Sequence, residues 1–424
     1  MRNKLTILIA VAAVAGVLAG WVANVAAPGP DAAATIAGYF SILADIFLRL
    51  IKMIIAPLVF ATVVHGIAAT GDTKAVGRIG IKAVGWFITA SIVSLLLGMV
   101  FANVFQPGAN LSLPLPDAGL STNLKTGSMN LKDFVVHVFP KSIFEAMATN
   151  EILQILVFSI FFGIALAALN ERPAVTIMGF IDDLVQVMLK LTEYVMLFAP
   201  VGVFGAVAAA ITTQGIGILA TYGKFIGSFY ASLAVLWVVL IAAGFVFLQG
   251  RVFTLFSMLR EPMLIGFSTA SSEAAFPKMM KQLERFGANE RVTALVLPLG
   301  YSFNLDGSMI YQAFASIFIA QAYGIEMSLG QQFTMLMVML LSSKGVAGVP
   351  RASLVVIAAT LPTFGLPEAG LLMIMGIDQF LDMGRTATNV IGNGIATAVV
   401  AKWEGELGPT TTDPEGEAPA RVAA

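Results

Sequence analysis

The sequence predicts an all-α membrane protein of eight transmembrane helices and two re-entrant helical hairpins arranged as inverted repeats. Three observations carry this. Of the 424 residues, 58% are apolar and only 12% charged, with a mean hydropathy of +0.88, far from the composition of soluble domains. The apolar residues fall into stretches long enough to cross a hydrocarbon core of about 30 Å at about 1.5 Å per helical residue. Two later stretches are apolar at their ends but broken in the middle by small and polar residues, and paired breaks in corresponding positions point to a transporter binding site.

The first span runs from Leu5 to Ala27. Arg2 and Lys4 ahead of it and small residues at its end mimic a signal peptide, but its length and the spans that follow directly favour a retained helix. Further spans centre on residues 37–70, 83–105, 143–169, 174–211 and 219–249, and those that exceed the minimum length imply tilt. Lys74, Arg78 and Lys82 follow the second span, Arg172 the fourth and Arg251 the sixth. The positive-inside rule therefore places these loops and the N-terminus in the cytoplasm. Segment 106–132 is then an external loop, and the polar tail 405–424 is expected to be disordered and cytoplasmic.

Segment 253–286 is interrupted at 268–273 and by Pro277, and segment 331–366 at 342–351. Non-helical backbone at membrane depth must be buried in protein or line a cavity, so both read as re-entrant hairpins, the first entering from the cytoplasm and the second from outside. A seventh span carries Asn304 and Asp306. The eighth carries Asp378, Asp382, Arg385, Thr386, Asn389 and Asn393, and all but Thr386 follow one another at steps of three or four that line one helix face. Each ionised side chain at mid-membrane costs about 2.5–3.5 kcal/mol, so three together need a reason, usually a binding or ion pathway.

The residue types on that face set its chemistry. Arg385 offers a planar fork that holds a carboxylate through two parallel hydrogen bonds, and Asp382 accepts from an ammonium group about one turn away. The bland alternative is that Asp378 and Asp382 merely neutralise Arg385, but Thr386, Asn389 and Asn393 continue the stripe beyond that need. In AsnLeuAspGlySer at 304–308, Gly307 invites unwinding that frees carbonyls. Carbonyls with a carboxylate suit a hard monovalent cation or a proton site; a kink with a satisfied Asp306 is the alternative. Ser271 and Ser272 on one hairpin tip, with Gly348 and Val349 on the other, present hydroxyls, amides and half-helix N-termini to an anion. Asp45, Arg49 and Lys52 are spaced to pair with one another, as are Lys190 and Glu193, and both sets read as ion pairs or interfacial snorkelling.

Composition also excludes function classes. A net charge of −1 leaves no polyanion-binding surface, so nucleic acid is not expected as a partner. The absence of cysteine rules out disulfides and thiolate metal sites, and the two histidines, His65 and His137, are too few for a histidine-rich metal centre. No Ser–His pair points to an enzyme. No cofactor is expected beyond a coupling cation, and the partners are a small anionic substrate and the lipid bilayer.

AsnLeuAspGlySer at 304–308, AlaGlyValPro at 347–350 and residues 378–390 resemble the dicarboxylate/amino acid:cation symporter family, across about residues 5–404. The resemblance implies eight helices, two hairpins, a homotrimer in the cell inner membrane with both termini cytoplasmic, and a transport domain that carries substrate like an elevator. It divides the chain into scaffold helices in 1–72, a transport-domain helix in 73–105, and 106–250 with the external loop, two scaffold helices and one transport-domain helix. The transport core of hairpins and last two helices follows in 251–404. Carried over by position, Arg385 binds the substrate side-chain carboxylate and Asp382 its amino group. Thr386, Asn389, Ser308, Ser271 and Ser272 complete the pocket, and backbone at Val349 closes it. Asp306, Asn304 and the Gly300 carbonyl belong to cation sites, sodium being the candidate metal, with Asn389, Asn393 and Ser91 beside them and Asp378 as a supporting acid.

Departures from the family pattern shape the expected chemistry. Ala270 and Met383 stand where family members place an arginine, and Arg351 is the candidate substitute. Phe87, Ala90 and Asn393 stand where sodium-coupled members have a Tyr, a Thr and an acid. Coupling by protons, alone or with sodium, follows. Residues 272–273, 342–345 and 399–403 resemble the C4-dicarboxylate branch, yet Asp382 and Thr386 do not. An amino group pairs with Asp382 whereas a dicarboxylate meets a repelling charge, which favours glutamate or aspartate. C4-dicarboxylate symport and an anion channel are the alternatives.

Overall fold

The computed structural model describes residues 2–68, 73–109, 136, 138–169, 172–215, 222–343, 352–375 and 377–411. They form helices α1 (Arg2–Ala26), α2 (Pro30–Ala68), α3 (Thr73–Phe105), α4 (Ile143–Thr149), α5 (Ile152–Ala167), α6 (Arg172–Met196), α7 (Ala199–Gln214) and α8 (Gly223–Leu248). Then come α9 (Arg251–Met258), α10 (Arg260–Thr269), α11 (Ser272–Phe286), α12 (Glu290–Phe303), α13 (Asp306–Ala322), α14 (Leu329–Ser342), α15 (Ala352–Thr360), α16 (Leu371–Met375) and α17 (Asp378–Glu404). No strand is present among the described residues. Ile7–Ala26, Pro30–Ala68, Lys74–Phe105 and Gly223–Leu248 are long and apolar enough to cross a membrane, and α6 with α7 meets the same test jointly. The chain is an all-α membrane protein.

Two predicted spans are not single rods. The stretch 174–211 bends by 50° between α6 and α7, because Pro200 in the first turn of α7 lacks an N–H and disfavours helix in the residue before it. The stretch 143–169 breaks at Asn150, whose left-handed backbone (φ +56°) ends α4.

The helices pack in two groups. In the first, α1 and α2 lie along α7, and α2 also lies along α5 and α6. Glycines let backbones meet there: a side chain at Gly16 or Gly20 would strike α7, and one at Gly205 would strike α2. In the second, α17 is surrounded by α8, α10, α11, α12, α13 and α3, and twenty of its residues are buried, from Asp378 to Ala401.

The first broken segment is a helix–turn–helix. Its tip falls at Ala270, in the left-handed region (φ +49°), and Ser271 caps α11 by accepting a hydrogen bond from the Ala274 N–H (3.3 Å). In the second, a capping box at Ser328 and Gln331 starts α14; Gly348, Val349 and Arg351 lie outside the described residues, as does His137. The seventh span is broken at Asn304 and Leu305, before Gly307, which sits inside α13.

Two expectations about charges and tail are corrected. No ion pair joins Asp45, Arg49 and Lys52; Lys52 instead reaches Glu273 on α11 (3.6 Å), since that acid faces α2 across the two groups. Lys190 and Glu193 do pair, at 3.1 Å. Residues 405–411 are not loose: the Gly408 N–H donates to the Gly287 carbonyl (2.8 Å), the Thr411 N–H to Arg285 (2.9 Å), and Glu406 pairs with Arg291. Glu404, at the end of α17, meets Arg78 and Lys82 of α3, each at 2.6 Å.

Candidate functional site

The polar face of α17 turns inward rather than to lipid. Asp378, Arg385, Thr386, Asn389 and Asn393 are buried, while the Asp382 side chain keeps 34% of its exposure. Arg385 is 2% exposed, and its guanidinium is held from three sides. Nη1 lies 3.1 Å from Asp378 Oδ1, Nη2 lies 3.0 Å from Asp382 Oδ1, and Nε donates to the same oxygen at 3.2 Å. The Tyr311 ring stacks beneath it, 4.1 Å from Cζ, and the Tyr311 hydroxyl donates to Asp378 Oδ1 at 3.3 Å. One guanidinium thus faces two acidic side chains, of which Asp382 is the accessible one.

This geometry contains the bland alternative and goes past it. Both acids do neutralise Arg385, as a buried guanidinium requires. Yet Nη1 finds no hydrogen-bond alignment with Asp378 despite its distance, so one donor of the fork is poorly used. A guanidinium fork of this kind can hold a carboxylate through two parallel hydrogen bonds, and a carboxylate like that of Asp382 can accept from an ammonium group.

Beside it, the broken helix and α17 share an oxygen-rich contact. Asn304 Nδ2 donates to Asn393 Oδ1 (3.2 Å), the Gly307 N–H to Asn389 Oδ1 (2.9 Å), and Ser94 Oγ to Asp306 Oδ1 (3.4 Å). The Gly300 carbonyl accepts from the Asn304 N–H at 2.8 Å, and Ser91 Oγ donates to the Phe303 carbonyl at 3.5 Å. Asn304 Oδ1 is buried and accepts no hydrogen bond among the described residues. Any side chain at Gly392 would overlap the Asp306 carboxylate, one at Gly300 the Asn393 amide oxygen, and one at Gly307 the Arg385 carbonyl. Gly307 therefore serves close approach rather than unwinding. Carboxylate, amide and carbonyl oxygens in one place suit a hard monovalent cation, and no group of three His, Cys, Asp or Glu that would hold another metal occurs among the described residues.

The structure brings Ser91, Gly300, Asn304, Asp306, Asn389 and Asn393 together, and Asp378, Asp382 and Arg385 together. Thr386 faces the first hairpin, where a side chain at Gly266 would meet its methyl group at 3.1 Å. Ser308 lies half-buried in the first turn of α13. The Ser271 oxygen is engaged in capping, and the Ser272 carbonyl accepts from the Tyr301 hydroxyl at 2.9 Å. Sequence reasoning missed Tyr311, Ser94, Tyr230, whose hydroxyl donates to the Phe380 carbonyl at 2.5 Å, and Trp237, whose indole N–H donates to Thr388 at 2.8 Å. Helical spacing offered a signal for two of them: Ser94 follows Ser91 by three residues and Tyr311 follows Gly307 by four.

Residues 5–403 match the family model of the sodium:dicarboxylate symporter family. The chain is 40% identical over 377 residues to the proton/sodium-glutamate symport protein of Bacillus caldotenax, an alignment covering 88% of this chain and 89% of that one. It is 41% identical over 416 residues to the C4-dicarboxylate transport protein of Solibacter usitatus, covering 97% and 94% respectively. With C4-dicarboxylate transport protein 2 of Polaromonas naphthalenivorans it shares 44% identity over 372 residues, covering 86% and 82%.

Proposed function

Because this chain belongs to the sodium:dicarboxylate symporter family, we propose that it imports glutamate or aspartate together with cations across the cell inner membrane. It is a transporter and not an enzyme. The observation that carries the substrate is the Asp382–Arg385 pair at 3.0 Å, with Arg385 buried and Asp382 partly exposed. An incoming acidic amino acid replaces both halves of that pair, its side-chain carboxylate taking the guanidinium and its ammonium group taking Asp382. Thr386, Asn389, Ser308, Ser271 and Ser272 border it, and the Val349 backbone closes over it. Arg351 is the candidate for the arginine that Ala270 and Met383 lack.

The oxygen cluster at Asp306, Asn304, Asn393, Asn389, Ser91 and the Gly300 carbonyl holds the coupling cation, a proton, sodium or both. The Bacillus caldotenax relative is named for both ions. We further assign eight spans and two re-entrant hairpins, with α1, α2 and α4–α7 as scaffold and α3, α8 and α9–α17 as the moving body of an elevator. Three copies form the working assembly, with both termini cytoplasmic.

A second reading, C4-dicarboxylate symport, is supported by the names of relatives at 41% and 44% identity. It also gains from Arg385, which offsets part of the Asp382 charge that a dicarboxylate would meet. Uptake of labelled glutamate, aspartate and succinate into proteoliposomes, under separately imposed sodium and proton gradients, tests both. Succinate uptake exceeding that of both amino acids would replace the first reading with the second, and substrate-free current without uptake would favour an anion channel.

A further inference from the structure

Outside the binding region, one titratable cluster joins the two packed groups of helices. His65, near the end of α2, has Nδ1 2.5 Å from Asp182 Oδ1 on α6 and Nε2 3.8 Å from Glu290 Oε2 on α12. The two acids thus reach the imidazole from opposite nitrogens, and from opposite groups.

The protonation state decides the sign of the second contact. In a neutral imidazole only one nitrogen carries hydrogen. With that hydrogen shared to Asp182, the Nε2 lone pair faces the Glu290 carboxylate and the contact repels. In imidazolium both nitrogens donate, and the same contact attracts. The side chains keep 29%, 52% and 38% exposure for His65, Asp182 and Glu290, so protons reach the cluster without passing through the substrate site.

Other titratable groups adjoin this contact, and burial pushes Glu290 itself above the ordinary carboxylate range. On α6, Asp183 is exposed next to Asp182. On α12, Arg291 is held by Glu406. On α11, Glu273 pairs with Lys52 of α2, Lys278 with Glu261, and Lys281 with Glu193, while Glu284, pushed up to about 8 by burial and by Glu290, adjoins that acid and Arg285 lies at the helix end. α5, α7 and the described side chains of α1 carry no charge.

We propose that His65 is a proton-binding latch, gripping Glu290 of the moving body when protonated and releasing it when neutral, so that protons regulate movement separately from the coupling site. The latch rests on the elevator assignment above. Proton binding is linked to the latched arrangement, so that arrangement gains at low pH and is lost as pH rises. Its expected size is that of a partly exposed ion pair, about a two- to fivefold change in population.

Spin labels test it in the whole 424-residue chain, which has no cysteine to interfere. Val187→Cys on α6 and Phe253→Cys on α9 are exposed labelling positions, and their separation is measured in proteoliposomes with equal pH on both sides. Between about pH 8 and about pH 5.5, the population at the separation seen here should rise two- to fivefold. His65→Gln and Glu290→Gln should each remove that rise. A rise that survives in both variants overturns the latch, and so does the absence of any rise while substrate and cation still change the separation. A separation that substrate and cation leave unchanged at every pH overturns the elevator assignment itself.

Discussion

In the proposed reading substrate choice turns on Arg385, whose partners are already arranged around it. Asp378, Asp382 and Tyr311 fix the guanidinium from three directions, so little ordering remains to be done when a carboxylate arrives. Replacing Asp382 with Asn removes the ammonium partner but leaves a dicarboxylate less repelled. Amino acid uptake is expected to fall about ten- to hundredfold, the range for a lost charge-assisted bond, with succinate uptake falling far less; equal losses on both would refute the assigned role. Arg385→Cys should move preference toward neutral amino acids, read by competition against labelled glutamate. Gly392→Ala addresses the neighbouring cluster, since its methyl group would press on the Asp306 carboxylate. Weakened dependence of uptake on the cation gradient is expected there, and unchanged dependence would remove Asp306 from the cation site.

At the scale of elements, the breaks in helices differ in how far the sequence announces them. The tip of the first hairpin was legible because SerThrAlaSerSerGlu at 268–273 interrupts an apolar run, and the turn falls inside it at Ala270 and Ser271. The break in the seventh span was legible only approximately. Gly307 drew attention by its type, but its role is to admit the Arg385 carbonyl, and the chain unwinds at Asn304 and Leu305 instead. The bend between α6 and α7 hid in uniform hydropathy, although Pro200 marks it. Residues 405–411 were misread because Gly, Pro and Thr look like a solvated tail, whereas their order comes from backbone hydrogen bonds to 285–289 that composition does not encode. Ser271 gives the most direct check on element chemistry. Ser271→Ala should cost about 1 kcal/mol by losing the cap, seen as a lower melting temperature, and Ser271→Asn should recover most of it.

For the whole molecule, the question is whether the two groups of helices slide past each other. Among the described residues, their interface carries three charged contacts, Lys52 to Glu273, Glu193 to Lys281 and His65 to Glu290. Partly exposed ion pairs contribute about 0–1 kcal/mol each, enough to favour one docking position and too little to prevent departure from it. Buried apolar surface would resist sliding more strongly, yet in lipid it has no hydrophobic advantage over contact with acyl chains. The arrangement is therefore suited to movement, and a covalent link across it should stop transport without touching the binding site. Lys52→Cys with Glu273→Cys places two thiols where the native ion pair spans 3.6 Å, in a chain with no other cysteine. The uncrosslinked double variant should take up substrate. A short reducible bifunctional reagent should then abolish uptake while detergent-solubilised protein still binds substrate, and reductant should restore it. Uptake that continues in fully crosslinked protein would mean that α2 and α11 stay together throughout the cycle, and the moving body would have to be redrawn to exclude the first hairpin.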